Sequence, residues 1–476
     1  MAVISSPTYD PKTTAENLAN AYVAGTKAIL DSRSTKATAT ASALTTLSTA
    51  LNAFQSTLTS LTSSTKTVTA TAATFSNTAV ATATATSKAV AGTYSFYVEQ
   101  LATAGQVSYN VNDSVATNAG AMNVVLADGS TFQVDLANAD NNMDGVLSAK
   151  EVAAAINAAA TNNSRVTAST MTVNGQTKLV LSSAKTGADN AVASIDVSGL
   201  SDANLQSDLS AQSTLKAAKD AIVWIGDQGT GTKVQQASNT FKVIDDVEFT
   251  VTQAQSAGAA PVSLTVAPDN SGTATNIQTF ITAYNSLLST INTLTAAGDH
   301  SVVEPADPTT GQPAPASTDA AFHNDAGVMA LRDRLNALLR TATGGVSLIN
   351  FGITAAKDGT LTLDTNRLNK TVAANPGTID SLFGRAGLGV DSGVLGAMNK
   401  LTTAWTSSTK GYIGSRRDMV TKAQADIADR QVTLKNQFDN AYKRYLTQFT
   451  TLQTLQSSMT KTSDMFTAMF SPDSSN

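Results

Sequence analysis

Apolar positions along this chain switch from helical to strand-like period at about residue 67 and back at Asn276, and each switch marks a structural boundary. Leu44, Leu47, Leu51, Phe54, Leu58 and Leu61 are spaced 3-4-3-4-3, the a/d pattern of a coiled-coil seam, inside a stretch (12–65) that reads as helix. The residues between them are almost all Ser, Thr, Ala, Asn and Gln. Such a helix buries one narrow stripe and carries a weakly helix-forming surface, so it needs a partner helix. From about residue 67 the stripe disappears into a Thr/Ala alternation, followed by a strand-like Gly92–Leu101 with Tyr94, Phe96 and Val98 on one side.

Short β patterns fill the middle. Met122–Leu126 and Thr131–Leu136 flank Asp128-Gly129, and strands at 165–173 and 178–182 flank Asn174-Gly175; both dipeptides supply the positive φ a tight hairpin needs. A short helix is expected at Ala149–Ala160, with Val152, Ile156 and Ala159 inward, and a polar loop at 200–215. A second β set follows at Ala221–Ile225, Phe241–Val243, Val247–Gln253 and Val262–Val266, with Trp224 as a strand core residue and 226–231 as a loose turn.

Helical period returns at Asn276, where Ile277, Phe280, Ile281, Tyr284, Leu287, Leu288, Ile291 and Leu294 form a broad apolar face. Residues 298–324 hold four of the ten prolines and read as a solvated loop. Val328, Leu331, Leu335, Leu338 and Leu339 mark another helix; Ser347–Thr354 and Thr360–Leu363 read as a strand pair around Asp358-Gly359. The last helix covers about 412–470. Val420, Ile427 and Leu434 recur every seven residues, Phe438, Tyr442, Tyr445, Phe449 and Leu452 continue 4-3-4-3, and Met459 keeps the register. Aromatics at that spacing predict a packed seam, not a ligand box.

These patterns predict an α+β multidomain protein, its terminal helices paired as a coiled-coil or helical-bundle leg with two β-rich domains inserted between them. The expected division is a flexible or helical segment at 1–40, a leg at 41–66 plus 273–470, a first β-rich domain at 67–118 plus 216–272, and a second at 119–215. A Pro-rich loop at 296–324 and a tail at 471–476 complete it.

Composition narrows the function. A net charge of −5 without any Lys/Arg run argues against a nucleic-acid partner. The absence of cysteine removes disulfides, thiolate metal sites and cysteine nucleophiles. The start, Met1–Asp10, has neither basic nor apolar region of a cleaved signal, and no stretch reaches the roughly 18 apolar residues of a membrane span. The two histidines, His300 and His323, bracket the Pro-rich loop without an ordered partner nearby, and no phosphate-binding glycine loop is present, so a non-enzymatic role is expected.

One segment carries specific chemistry. Residues 140–151 match the twelve-residue EF-hand calcium loop: Asp140, Asn142 and Asp144 at the first three ligand positions, Gly145 at the sharp turn, Val146 offering its carbonyl, Ser148 at the water-mediated position and Glu151 as bidentate ligand. Calcium is the only cofactor this suggests, and none is required. The same residues also read as a strand-to-helix loop in which Ser148 and Glu151 form a capping box.

Taken together, several segments resemble the flagellar filament cap, or hook-associated protein 2, family. They are Ala53-Phe-Gln-Ser-Thr-Leu-Thr-Ser-Leu61, Ala91–Ala102, Glu151–Asn157, Ser238-Asn-Thr-Phe241, Thr279–Asn285, Asn350-Phe-Gly-Ile-Thr354 with Asp358–Asp364, and Asn375–Phe383. Where family members commonly carry Gly-Ser-Gly-Leu-Asp near the start, this chain reads Tyr9-Asp-Pro-Lys-Thr-Thr14. The resemblance implies a structural cap, exported through the flagellar apparatus without a cleaved signal, forming a homo-oligomeric ring (a pentamer) at the filament tip. It also implies flagellin and an export chaperone as partners, a role in motility, and adhesion in some members. The alternatives are a calcium-binding surface adhesin and another flagellar axial protein such as a hook–filament junction protein.

Overall fold

The computed structural model describes residues 10–63, 66–299, 318–343, 345–375, 377–387 and 389–470. The chain forms two compact units, residues 1–64 with 274–476 and residues 65–273. The α+β expectation holds: long helices at both ends, β-sheets between.

The first helix, α1 (Pro11–Leu61), starts where Asp10 accepts from the Lys12 and Thr13 N–H groups and Pro11 occupies the first turn. It therefore takes in most of the segment expected to stand apart at 1–40. Its threonines are not idle on the surface. Thr40, Thr45, Thr46 and Thr49 each donate to the carbonyl four residues back, satisfying the hydroxyl locally.

The β unit contains β1 (Ala70–Phe75), β2 (Ala81–Ala85), β3 (Gly92–Gln100), β4 (Gln106–Asn110), β5 (Ser114–Val115), β6 (Ala121–Leu126), β7 (Thr131–Asp135) and β8 (Val146–Leu147). It continues through α2 (Ala149–Ala158), β9 (Val166–Val173), β10 (Gln176–Ser183), β11 (Val192–Asp196), α3 (Ala203–Ser210) and β12 (Ser213–Lys216), then β13 (Ala221–Ile225), β14 (Thr232–Gln236), β15 (Thr240–Ile244), β16 (Val247–Val251) and β17 (Val262–Asp269).

Two cores share this unit. In one, the sheet β1-β17-β3-β13-β14 and the sheet β15-β16-β2 meet over Phe75, Phe96, Phe241 and Phe249, with Phe96 and Phe249 at 4.8 Å between ring centroids. In the other, the sheet β12-β4-β10-β9, the sheet β11-β6-β7, α2 and α3 enclose Tyr109, Phe132, Val152 and Leu181. The boundary between them departs from the expected 118/216. β4 pairs with β10 and β12, and its Val107 and Tyr109 belong to the second core, so the division falls at the Thr103–Lys219 bridge. The expected loop at 200–215 contains α3, capped by Asp202 with Leu205 and Leu209 buried, and the edge strand β12. Trp224 is half-buried on the outer face and donates its Nε1–H to Glu99.

The helical unit continues with α4 (Asn270–Thr295), which starts six residues before the expected Asn276 because Asp269 caps it, its Oδ1 accepting from the Gly272 N–H. Then come α5 (Ala326–Leu338), β18 (Ala342–Thr343), β19 (Val346–Ser347), β20 (Ile353–Ala355), β21 (Leu361–Leu363), α6 (Thr365–Ala374), α7 (Thr378–Phe383), α8 (Gly393–Thr406) and α9 (Tyr412–Phe470). Residues 348–351, expected as strand, form a single 3-10 turn closed by Gly352 in the left-handed region (φ 79°). The solvated Pro-rich loop expected at 296–324 lies outside the described residues over 300–317, as does His300; its described end 318–324 is instead packed, Phe322 being buried and its N–H donating to the Leu294 carbonyl. His323 sits in a packed turn, its Nδ1 3.4 Å from the Thr295 carbonyl.

One device recurs in both units. Asn285 with Leu361, Asn239 with Ala102, Asn157 with Ala168 and Asn162 with Val166 each place one carboxamide against both backbone groups of one residue. Each amide does the work of an added strand residue, satisfying a donor and an acceptor at once.

Candidate functional site: the helical leg and the acidic loop

The leg is an antiparallel pair. Thr45 of α1 meets Arg417 near the start of α9, while Val23 and Leu30 cluster with Leu434 and Phe438 further along it. At 1.5 Å per residue, α1 is about 76 Å long and α9 about 88 Å.

The sequence-predicted seam divides into three stretches. Leu44, Leu47, Leu51, Phe54, Leu58 and Leu61 are all buried. The upper part of that stripe lies beyond the start of α9 and is covered by other elements. The Phe54 ring lies 6.4 Å from both Phe280 and Tyr284 of α4, Gln55 donates to Asn399 and Thr403 of α8, and the Ala386 N–H donates to Thr62 Oγ1. In the middle stretch Ile427 and Leu434 are buried, while Val420, Phe438, Tyr442, Tyr445 and Phe449 are half-buried; Phe438 and Tyr442 stack at 6.2 Å. At the far end Leu452 is 42 % and Met459 65 % exposed, although both keep the register. Antiparallel pairing brings Pro11 opposite this part of α9, so α9 continues past the start of α1. The stripe there stays open through Leu455 and Phe466.

A polar joint fixes the start of α9, and sequence periodicity gave no sign of it. Arg416 forms a bidentate ion pair with Asp325, 2.9 Å at each contact, and its guanidinium lies 5.6 Å from the centre of the Trp405 ring. Asp325 also caps α5, accepting from the Gly327 and Val328 N–H groups. Burial pulls the Asp325 carboxyl up, but Arg416 and the two N–H groups outweigh it and hold the carboxyl below its ordinary value. Trp405, expected just before the last helix, lies in α8 and is buried against this joint.

The acidic loop folds back on itself. Asp140 accepts from the Asp144 and Gly145 N–H groups, Asn142 Oδ1 from Asp144 N–H, and Asp144 Oδ1 from Val146 N–H. Ser148 and Glu151 form the capping box: Glu151 Oε2 accepts from Ser148 N–H and Oγ, and Oε1 from Asn141 N–H. The Ser148 bonds are the main cause holding the Glu151 carboxyl below its ordinary value. Among the described residues no three His, Cys, Asp or Glu side chains gather as a group able to hold a metal. The Glu151 carboxylate, expected as a bidentate metal ligand, is engaged at the helix cap, and β8, which contains Val146, pairs with β5.

Two sequence profiles match the chain: flagellar hook-associated protein 2 N-terminus over residues 8–105 and flagellar hook-associated protein 2 C-terminus over residues 218–461. The lateral flagellar hook-associated protein 2 of Vibrio parahaemolyticus is 31% identical over 81% of this chain and 83% of its own length. This chain belongs to the flagellar hook-associated protein 2 family. The B-type family member of Pseudomonas aeruginosa is 29% identical over 81% of this chain and 80% of its own length. The crystal structure of the D1-D2-D3 domains of the Escherichia coli flagellar cap protein FliD is similar with a TM-score of 0.56 at 25% identity, covering 79% of this chain and 99% of that one. The two profile matches leave 106–217 between them, the stretch that builds the second β core and holds the 140–151 loop. Hook-associated protein 2 is a structural family of the flagellum, and among the described residues no helix is long and apolar enough to cross a membrane.

Proposed function

We propose that this chain caps the bacterial flagellar filament: copies form a ring at the extracellular tip, hold the growing end through their helical legs, and promote insertion and folding of exported flagellin. The observation that carries this reading is the long antiparallel leg made from both chain ends, in a family whose solved Escherichia coli member is a flagellar cap protein. The ring is a pentamer, and an export chaperone shields the open apolar stripe Leu452, Leu455, Met459 and Phe466 before assembly. Deleting the gene tests the function. The mutant is expected to shed monomeric flagellin and to lose swimming, both restored by the intact gene; normal filaments in the mutant would overturn the reading. Sedimentation of the assembled ring tests the subunit number.

A second reading concerns residues 140–151 alone. The backbone turn that Asp140 organises favours calcium uptake, which requires Glu151 to leave Ser148. Isothermal titration with calcium chloride, with Asp140→Ala as control, tests it: calcium-specific heat confined to the wild type supports the site, and its absence removes it.

A further inference from the structure

The hairpin β20–β21 has two unlike edges. The Ala356 N–H donates to the Thr360 carbonyl at 2.8 Å, and the Asp364 N–H to the Gly352 carbonyl at 2.8 Å, so residues 352, 354 and 356 face the partner strand. Alternation then turns the N–H and C=O groups of Ile353 and Ala355 outward on β20, and those of Leu361 outward on β21. On β21 the outward groups of Leu361 are closed by Asn285. On β20 no described residue plays that part for Ala355. Its edge lines a cleft of about 730 Å³. Leu339, Leu348 and Ile349 add aliphatic lining to the cleft, the last 57% exposed. Three cations, Arg332, Arg340 and Lys357, and two carboxylates, Asp333 and Asp358, line the same cleft; Asp333 lies 3.6 Å from Arg332 and Asp358 accepts from Thr360 within its own turn, which leaves Arg340 and Lys357 without a carboxylate partner among the described residues.

We propose that this cleft binds an extended, acidic and aliphatic segment of flagellin before that segment has folded, as a strand added to the open edge of β20. A strand edge supplies main-chain hydrogen bonds to any extended chain, and the cleft adds selectivity: its aliphatic lining takes alternate side chains, and Arg340 and Lys357 take carboxylates. A folded chain has already paired its strands, so the site lets go as folding proceeds. The cap reading supplies the identity of the partner; the open edge and its charge stand without it.

The test uses the full chain and fluorescent twelve-residue peptides tiled across the cognate flagellin, read by anisotropy. Saturable binding is expected, concentrated on acidic aliphatic peptides. Methylating alternate backbone nitrogens of the best peptide should abolish binding in one register and spare it in the other, a signature of strand addition that needs no protein variant. Ala355→Pro removes only an outward N–H, so binding should fall about tenfold while the hairpin stays paired. Arg340→Glu with Lys357→Glu, both at exposed positions, should weaken acidic peptides about tenfold as well. No saturable binding to any flagellin peptide, or equal binding of both methylated registers, overturns the proposal. Preferential binding of a peptide covering residues 298–324 of this chain overturns it in favour of a segment of the protein itself. Normal filaments in the deletion strain alongside register-specific peptide binding would instead remove the cap reading and leave the strand-addition site.

Discussion

The Asn285 carboxamide grips both backbone groups of Leu361: Nδ2 donates to the Leu361 carbonyl at 2.9 Å, and Oδ1 accepts from the Leu361 N–H at 2.7 Å. Its neighbour Tyr284 donates its hydroxyl to Asn336 Oδ1 at 2.6 Å, so one turn of α4 fixes both the β20–β21 hairpin and α5. Replacing Asn285 with Ala leaves a donor and an acceptor of Leu361 unpaired, at a cost of about 1–3 kcal/mol. Urea denaturation of Asn285→Ala should show that loss. Asn285→Asp keeps the acceptor for the Leu361 N–H and should lose part of it. An unchanged midpoint for Asn285→Ala would mean that the hairpin is held by its side chains alone.

The Arg416–Asp325 joint should cost the helical unit stability in acid. Asp325 has its folded-state pKa below the ordinary 3.8. The unfolded chain therefore binds its proton first, and the contribution is present above that value and lost as pH falls through the folded one. Asp325→Asn should lower stability near neutral pH and flatten the dependence on pH below about 4. Melting curves between pH 2.5 and 7 measure this, and parallel acid profiles for variant and wild type would count against it.

How much of this was legible in the sequence depends on how each residue acts. The α4 face from Ile277 to Ile291 was readable because each of those side chains repeats at helical spacing and is buried. The seam of α1 was readable for the same reason, but not its partners: periodicity says that Phe54 is buried, not that α4 covers it while α9 covers Leu30. The extent of the second β core was misjudged because β4 is held by pairing to β10, a strand some seventy residues away, which no local pattern encodes. Arg416 and Asp325 lie 91 positions apart and act as a single pair, so nothing repeats to announce them. Asn285, Asn239 and Asn157 stand inside family-like segments, and the structure supplies the physical reason for each: one amide docking one backbone residue.

The cap on α2 gives a contained measurement in the β unit. Ser148 and Glu151 satisfy each other and the first turn of α2, whose Val152 and Ile156 reach the second core. Ser148→Ala should cost about 0.5–2 kcal/mol, and Glu151→Gln less, because glutamine still accepts from the Ser148 N–H. Thermal unfolding in the presence of a calcium chelator reads the cap alone. A Ser148→Ala variant as stable as the wild type would show that packing of α2 makes the cap redundant.

The leg seam separates residues that hold the single chain together from residues left over. Leu434 is 9% exposed and packs with Val23 and Leu30, whereas Met459 keeps the same heptad register but is 65% exposed. Leu434→Ala should destabilise the isolated chain by about 2–3 kcal/mol, the low end for a buried leucine because this seam is only two helices thick. Met459→Ser should stay within about 0.5 kcal/mol of wild type in the same assay. The two variants should then reverse in rank when the readout is assembly rather than stability. A surface that contributes nothing to the monomer yet repeats Leu452, Leu455, Met459 and Phe466 in register is suited to another chain. Sedimentation of both variants at concentrations where the wild type assembles measures this. A Met459→Ser protein that melts as early as Leu434→Ala would mean that this stripe is already packed within one chain.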